Sequence, residues 1–135
     1  MAEVKVVLHQ VSLFTSEASV RTHRVLIDRP AAKGGADQGP MGGELFLAAV
    51  GGCLMSNLLA AIRAREAAVS DVHMEITGSL ADAPARFTTI EICITANAPQ
   101  REELEHLLEI ADRGCIMMNT LRGTLDLKIR AGATV

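Results

Sequence analysis

Two cysteines in this sequence of 135 residues stand where a thiol could carry out redox chemistry. Cys53 follows Gly51 and Gly52 inside a stretch rich in Leu and Ala, and each glycine costs a helix about 1 kcal/mol relative to alanine. We therefore expect either a neighbouring backbone that packs closely here or room for a substrate beside the sulfur. Cys115 follows Gly114 and is predicted to open a helical turn, where backbone N–H groups and the helix dipole favour a thiolate.

A buried, unreactive role is the alternative for both thiols, because cysteine is among the residue types most often found buried. Cys93 alternates with Ile92 and Ile94 in a predicted strand, which favours packing. An odd number of widely spaced cysteines fits neither a secreted disulfide framework nor a zinc site with paired CxxC ligands. The histidines are scattered singly and the glycine pairs lack the spacing of a phosphate-binding loop, so we predict no metal and no cofactor.

Composition predicts one soluble domain over residues 1–135. Hydrophobic residues make up 49% of the chain, enough for a core, while a net charge of −3 and the lack of Trp and Tyr argue against nucleic acid as a partner. Residues 1–12 alternate apolar and polar side chains, unlike a signal peptide. Glycines and polar residues interrupt the richest apolar stretch, residues 45–62, so we predict no membrane-spanning helix and expect a cytoplasmic protein.

Hydrophobic periodicity predicts two hairpins, two helices and a closing strand. The predicted strands lie at residues 4–8, 20–27, 72–76, 90–94 and 125–129. A glycine-rich loop over residues 31–43 leads into a helix over residues 44–65, and a second helix runs from Pro99 to Gly114. This order indicates an α+β fold. The first helix is apolar on nearly every side, so we expect it to be buried, in part by a partner subunit.

Two segments of the chain resemble the signatures of a known protein family. The first, residues 34–53, reads GGADQGPMGGELFLAAVGGC, and the second, residues 111–121, reads ADRGCIMMNTL. The first ends in Cys53 and the second surrounds Cys115. Together with the order of the strands, they are similar to the superfamily of osmotically inducible protein C (OsmC) and organic hydroperoxide resistance (Ohr) proteins, over essentially the whole chain.

The resemblance implies an intertwined homodimer in which central helices pack against curved antiparallel sheets, with active sites at the subunit interface. It also implies thiol peroxidase chemistry in defence against oxidative stress. In that chemistry the Cys53 thiolate attacks the peroxide and becomes a sulfenic acid, and Cys115 condenses with it to a disulfide that an external dithiol reduces.

In the peroxidase members an Arg from the preceding loop and a Glu near the helix start activate the first thiolate. Aligned on Leu45 and Cys53, the Glu position falls on Gly43, and Glu44 lies one residue later. Nine residues at about 100° each place Glu44 roughly half a turn around the helix from Cys53. Arg29 and Lys33 are the loop cations. This pattern is similar to the broader OsmC-like subgroup, with Arg29 and Glu44 as candidates for the activating roles.

Three functions are compatible with the sequence. The first is a thiol-dependent peroxidase acting on a hydroperoxide through Cys53 and Cys115. The second is a non-peroxidatic protein of the same fold that binds a small apolar ligand near Cys53, which the many Ala, Leu and Met residues favour. The third is a structural homodimer with inert, buried cysteines.

Overall fold

The computed structural model describes residues 1–132 of the chain. They form two compact units, one over Met1–Phe46 and one that begins at Leu47, so that the first turn of the long central helix belongs to the first unit.

The first unit contains a three-stranded antiparallel sheet. Its strands are β1 (Val7–Gln10), β2 (Ser16–Val20) and β3 (His23–Ile27), in the order β1-β2-β3. The prediction of a two-stranded hairpin from residues 4–8 and 20–27 is wrong, because it missed β2 altogether. The sequence of β2, SEASV, has few residues that prefer strands, and pairing on both sides imposes its extended conformation.

A buried carboxylate organises the loop that follows β3. Asp28 accepts hydrogen bonds from the hydroxyl of Thr15 at 2.9 Å and from the backbone N–H groups of Arg29, Ala36 and Gln38 at 2.6, 3.4 and 3.1 Å. The loop contains one short 3-10 helix, Ala31–Lys33. The glycine-rich segment is therefore irregular, as predicted, but it is fixed in place by a single side chain.

The second unit contains a three-stranded sheet with a long hairpin. The strands β4 (Ser70–Ala81) and β5 (Arg86–Asn97) pair antiparallel, and β6 (Asp126–Ala131) lies parallel to β5. The hairpin and the closing strand confirm the predictions. The parallel pairing differs from the expected antiparallel sheets, and its reason is the helical crossover between β5 and β6, which returns the chain to the same end of the sheet.

The central helix α1 spans Gly42–Ala64 and confirms the first predicted helix. Its buried residues all fall on one side, and they are Val50, Gly51, Leu54, Leu58 and Ala61. Burial all round is wrong for the single chain, since small and apolar side chains are exposed on the other side. We call these residues the exposed face of α1: Ala48, Ala49, Gly52, Ser56, Leu59 and Ala60.

By length and composition alone α1 is long and apolar enough to cross a membrane, with a mean hydropathy of 2.1 in its richest window of 18 residues. Its glycines and polar residues are the basis for the prediction of no membrane-spanning helix. The core helix of a soluble protein can meet the same criterion of length and composition, so α1 alone is weak evidence for a membrane span.

Two further helices connect β5 to β6. The helix α2 covers Arg101–Gly114, close to the prediction, and buries Leu104, Leu107, Leu108 and Ala111. A short helix α3 covers Ile116–Leu121, and Cys115 is the residue between the two. The prediction that Cys115 opens a new helical turn is confirmed.

Candidate functional site

The second unit brings Cys53 and Cys115 together. Cys53 lies near the middle of α1, and Cys115 lies at the junction of α2 and α3. The two sulfur atoms are 3.1 Å apart, with the Cys115 thiol donating to the Cys53 sulfur, and both cysteines are free thiols. That separation is about 1 Å longer than a disulfide bond of roughly 2.05 Å. A small movement of the side chains therefore suffices for bridging.

The two thiols differ in exposure. Cys115 is fully buried, whereas Cys53 is only partly buried and keeps access to solvent. A small molecule can therefore reach the sulfur of Cys53 first.

The pKa of the Cys53 thiol is lowered. Burial alone would raise it, but the backbone N–H of Met117, the thiol of Cys115 and the backbone N–H of Ile116 together outweigh the burial. All three groups are neutral donors that stabilise the negative sulfur. They come from the loop-to-helix junction that Cys115 itself begins.

The pKa of Cys115 is raised instead. Burial is the main cause. The hydrogen bond to Cys53 and the negative charge of Cys53 raise the pKa further, and together these effects exceed the lowering by the backbone N–H groups of Met118 and Met117. The backbone N–H groups of Met118 and Met117 at the start of α3 do favour a Cys115 thiolate, as expected, but burial and the neighbouring Cys53 outweigh them and raise the pKa. The N–H groups there favour the thiolate of Cys53, while Cys115 holds its proton and donates it toward Cys53.

The two glycines before Cys53 have different surroundings. A Cβ atom added to Gly51 would lie 2.5 Å from Cδ1 of Ile76 on β4, so α1 packs closely against the sheet there. A Cβ atom on Gly52 would meet nothing within 4 Å. The expectation of close packing thus holds at Gly51, although the neighbour is a side chain and not a backbone.

Asn57 is a site residue that the sequence reasoning missed. Its side-chain N–H₂ donates to the carbonyl oxygen of Cys53 at 3.0 Å and lies 3.9 Å from the Cys53 sulfur. The signal that could have found it is the spacing of four residues on a predicted helix, which places two side chains on the same face.

The other two candidate site residues belong to the first unit. Glu44 accepts a hydrogen bond from the backbone N–H of Met41 at 2.8 Å, which caps the start of α1. Arg29 is exposed and, with Lys33, lines a cavity of about 460 Å³ next to Gly42 and Gly43. An activating role for either Arg29 or Glu44 stays a prediction.

The third cysteine lies on the sheet. Cys93 is partly buried on the face of β5 opposite the buried Ile92 and Ile94. It pairs in register with Glu75 on β4 and Arg130 on β6. Within residues 1–132, no group of three or more His, Cys, Asp or Glu side chains could hold a metal ion.

Comparison with known proteins decides the family. The sequence model described as OsmC-like protein matches residues 34–130, which include both cysteines of the pair. The chain belongs to the OsmC family. No curated protein matches the sequence of this OsmC-like chain.

Solved structures share the OsmC-like fold of this chain at low sequence identity. An OsmC-like protein from Mycoplasma pneumoniae is 16% identical (TM-score 0.86; 99% of this chain and 98% of that chain covered). An organic hydroperoxide resistance protein from Legionella pneumophila is 20% identical (TM-score 0.76; 98% and 100% covered). OhrB of Bacillus subtilis is 19% identical (TM-score 0.71; 97% and 98% covered).

Proposed function

We propose that this OsmC-like protein is a thiol-dependent peroxidase that reduces hydroperoxides through Cys53 and Cys115. The observation that carries the proposal is the 3.1 Å separation of the two sulfur atoms. Solved structures of the same fold that are named as organic hydroperoxide resistance proteins support the choice of substrate class.

The partly exposed Cys53 is the attacking residue. Its lowered pKa raises the fraction of thiolate, which is the nucleophilic form of the group. The thiolate attacks the terminal oxygen of the hydroperoxide, the O–O bond breaks, and the alkoxide that is released takes a proton from solvent and leaves as the alcohol. Cys53 is oxidised to a sulfenic acid and the peroxide is reduced.

Cys115 is the resolving residue. Its sulfur attacks the sulfur of the Cys53 sulfenic acid, the S–O bond breaks, and water leaves with the proton of the Cys115 thiol. The product is a Cys53–Cys115 disulfide. An external dithiol then reduces this disulfide by thiol exchange and is itself oxidised to a disulfide, which returns both cysteines to their thiol forms.

A homodimer belongs to the same proposal. The exposed face of α1 consists of small and apolar residues, including Leu59 with 49% of its surface exposed. A second copy of the chain that covers this face would bury it, as expected for an apolar helix in a small protein. Sedimentation of the purified protein at twice the mass of the chain supports this assembly, and a monomer at micromolar concentration contradicts it.

The function is tested by hydroperoxide consumption with dithiothreitol as the donor. The Cys53→Ser variant should lose turnover to the uncatalysed background, since a hydroxyl cannot replace the thiolate. The control is Cys93→Ser, which removes a thiol from the sheet and should keep turnover within about twofold of the unmodified protein, as expected for a residue outside the site. Unchanged turnover in Cys53→Ser would overturn the proposal.

A further inference from the structure

We propose that Asn57 is a positioning residue that holds the Cys53 sulfur toward Cys115 and the start of α3. The inference rests on the proposed function, because it concerns the same sulfur. It adds a side chain to a site whose other donors are backbone groups and the second thiol.

The position of Asn57 follows from the geometry of α1. Four residues advance a helix by slightly more than one turn, so the Asn57 side chain lies beside that of Cys53. Its nitrogen donates to the Cys53 carbonyl oxygen at 3.0 Å, and this bond anchors the amide against the helix. The same nitrogen then lies 3.9 Å from the Cys53 sulfur, within the longer range of hydrogen bonds to sulfur.

The other end of the amide faces α2. The Asn57 carbonyl oxygen lies 3.6 Å from the point where a Cβ atom of Gly114 would stand, an ordinary contact distance. Gly114 is the last residue of α2 and directly precedes Cys115. The Asn57 amide therefore bonds to the backbone at Cys53 and lies near the end of α2, close to the residue that precedes Cys115.

The chemistry of the amide suits this position. An amide is neutral at every working pH, and its N–H₂ group can donate two hydrogen bonds, here one toward the carbonyl oxygen and one toward the sulfur. A donor aimed at sulfur favours the thiolate over the thiol. A carboxylate in the same place would offer only acceptors and a negative charge, and would favour the thiol.

Two substitutions separate positioning from simple packing. Asn57→Leu removes both donors at similar size, and Asn57→Asp keeps the shape but adds a negative charge. Asn97→Leu, the same substitution at an exposed residue at the end of β5, is the matched control. Alkylation of Cys53 by iodoacetamide is followed across pH by peptide mass spectrometry, and thermal melting of each variant confirms that it is folded.

The expected result is a shift of the Cys53 alkylation profile to higher pH in both Asn57 variants. At neutral pH, Asn57→Leu should react about two- to tenfold more slowly, the effect of one hydrogen bond. The shift should be larger in Asn57→Asp, where a like charge acts on the thiolate. The profile of Asn97→Leu should overlay that of the unmodified protein. Overlay of the profiles of both Asn57 variants with that of the unmodified protein would overturn the inference.

The alkylation experiment contains no peroxide, so a failure of the inference about Asn57 can be distinguished from a failure of the proposed function. If the protein consumes no hydroperoxide but both Asn57 variants shift the profile, the function is wrong while the positioning role is supported. If hydroperoxide is consumed and neither variant shifts the profile, only the role of Asn57 is wrong. Where Asn57→Leu does not fold, an unshifted profile in a folded Asn57→Asp variant overturns the inference, because the added charge should then act on the Cys53 sulfur.

Discussion

Asp28 and Cys53 are two ionisable side chains that receive backbone N–H donors in different regions of the molecule. Asp28, in the loop after β3, accepts from three backbone N–H groups and from the Thr15 hydroxyl, and only 3% of its surface is exposed. Cys53, on α1, is favoured as a thiolate by two backbone N–H groups and the Cys115 thiol, and it stays partly exposed.

The difference separates a structural anion from a reactive one. The donors around Asp28 hold its two oxygens and leave the residue almost fully buried at the wall of the cavity that Arg29 and Lys33 line, which makes the carboxylate a fixed point for the loop. Cys53 is partly exposed as a residue, and its sulfur lies next to a second thiol. Backbone donors thus stabilise both anions, and accessibility together with the neighbouring thiol turns one of them into a site for chemistry.

The largest effect that would sharpen this comparison is expected in Cys115→Ser. The serine hydroxyl cannot attack a sulfenic acid, so hydroperoxide should leave Cys53 as a sulfenic acid that excess peroxide oxidises further to a sulfinic acid. Mass spectrometry with a sulfenic acid trap measures both products. Cys93→Ser is the control and should form the same disulfide as the unmodified protein. Absence of a trappable sulfenic acid in Cys115→Ser would contradict the assigned order of attack.

The second effect is the order in which the thiols react. Cys53 has a lowered pKa and solvent access, whereas Cys115 has a raised pKa and is fully buried. In the folded protein iodoacetamide should therefore label Cys53 at least about tenfold faster than Cys115 at neutral pH, because the thiolate is the reactive form and burial shields Cys115 from the reagent. Peptide mapping after short exposures measures the ratio. Equal labelling of Cys53 and Cys115 would contradict the comparison, because the hydrogen-bond donors around Cys53 would then not make it the more reactive thiol.

The third effect concerns Asp28. Burial alone would raise its pKa, but hydrogen bonds from Arg29, Gln38, Thr15 and Ala36 outweigh it and lower the pKa. A lowered folded-state pKa means that the carboxylate stabilises the fold above its unfolded-state pKa, and that this contribution is lost as pH falls through the folded value.

Asp28→Asn should therefore lower the melting temperature at neutral pH, and its difference from the unmodified protein should shrink in acid. Asp37→Asn is the control, because Asp37 is exposed and asparagine tolerates its positive φ of 54°. Thermal melting between neutral and acidic pH measures the effect. A difference that stays constant with pH would show that the Asp28 charge has no structural role.

The smallest effect compares the two glycines beside Cys53. Gly51→Ala should destabilise the fold by about 1 kcal/mol, because overlap with Ile76 exceeds the gain in helix propensity. Gly52→Ala has open space and should gain up to about 1 kcal/mol. Urea unfolding measures both changes. A loss in Gly52→Ala as large as that in Gly51→Ala would contradict the open surroundings of Gly52.

Sequence patterns predicted the strongly periodic elements of the fold. The hairpin β4–β5 and the helices α1 and α2 follow from alternation and helical spacing. The strand β2 could not be predicted, because its residues are extended by pairing on both sides. The parallel position of β6 depends on the crossover through α2 and α3, which hydrophobic alternation does not reveal.

The sequence predicted the two cysteines of the site but not which of their pKa values is lowered. Family motifs selected Cys53 and Cys115, and the glycine before Cys115 predicted the start of α3. Which sulfur the start of α3 stabilises depends on the tertiary approach of α1, so local sequence context favoured a thiolate at Cys115, and only the family resemblance implied one at Cys53. Asn57 was missed because the side chain was counted only as a polar interruption of an apolar stretch.

Intact mass after stoichiometric hydroperoxide treatment tests the central claim most directly. Formation of a Cys53–Cys115 disulfide removes two hydrogen atoms from the chain, and peptide mapping should place the link between these two residues, with Cys93 still free. Added dithiothreitol should restore the original mass. A chain that gains oxygen without forming the link, or that links Cys93 instead, would contradict the account of Cys53 and Cys115 as a reactive pair.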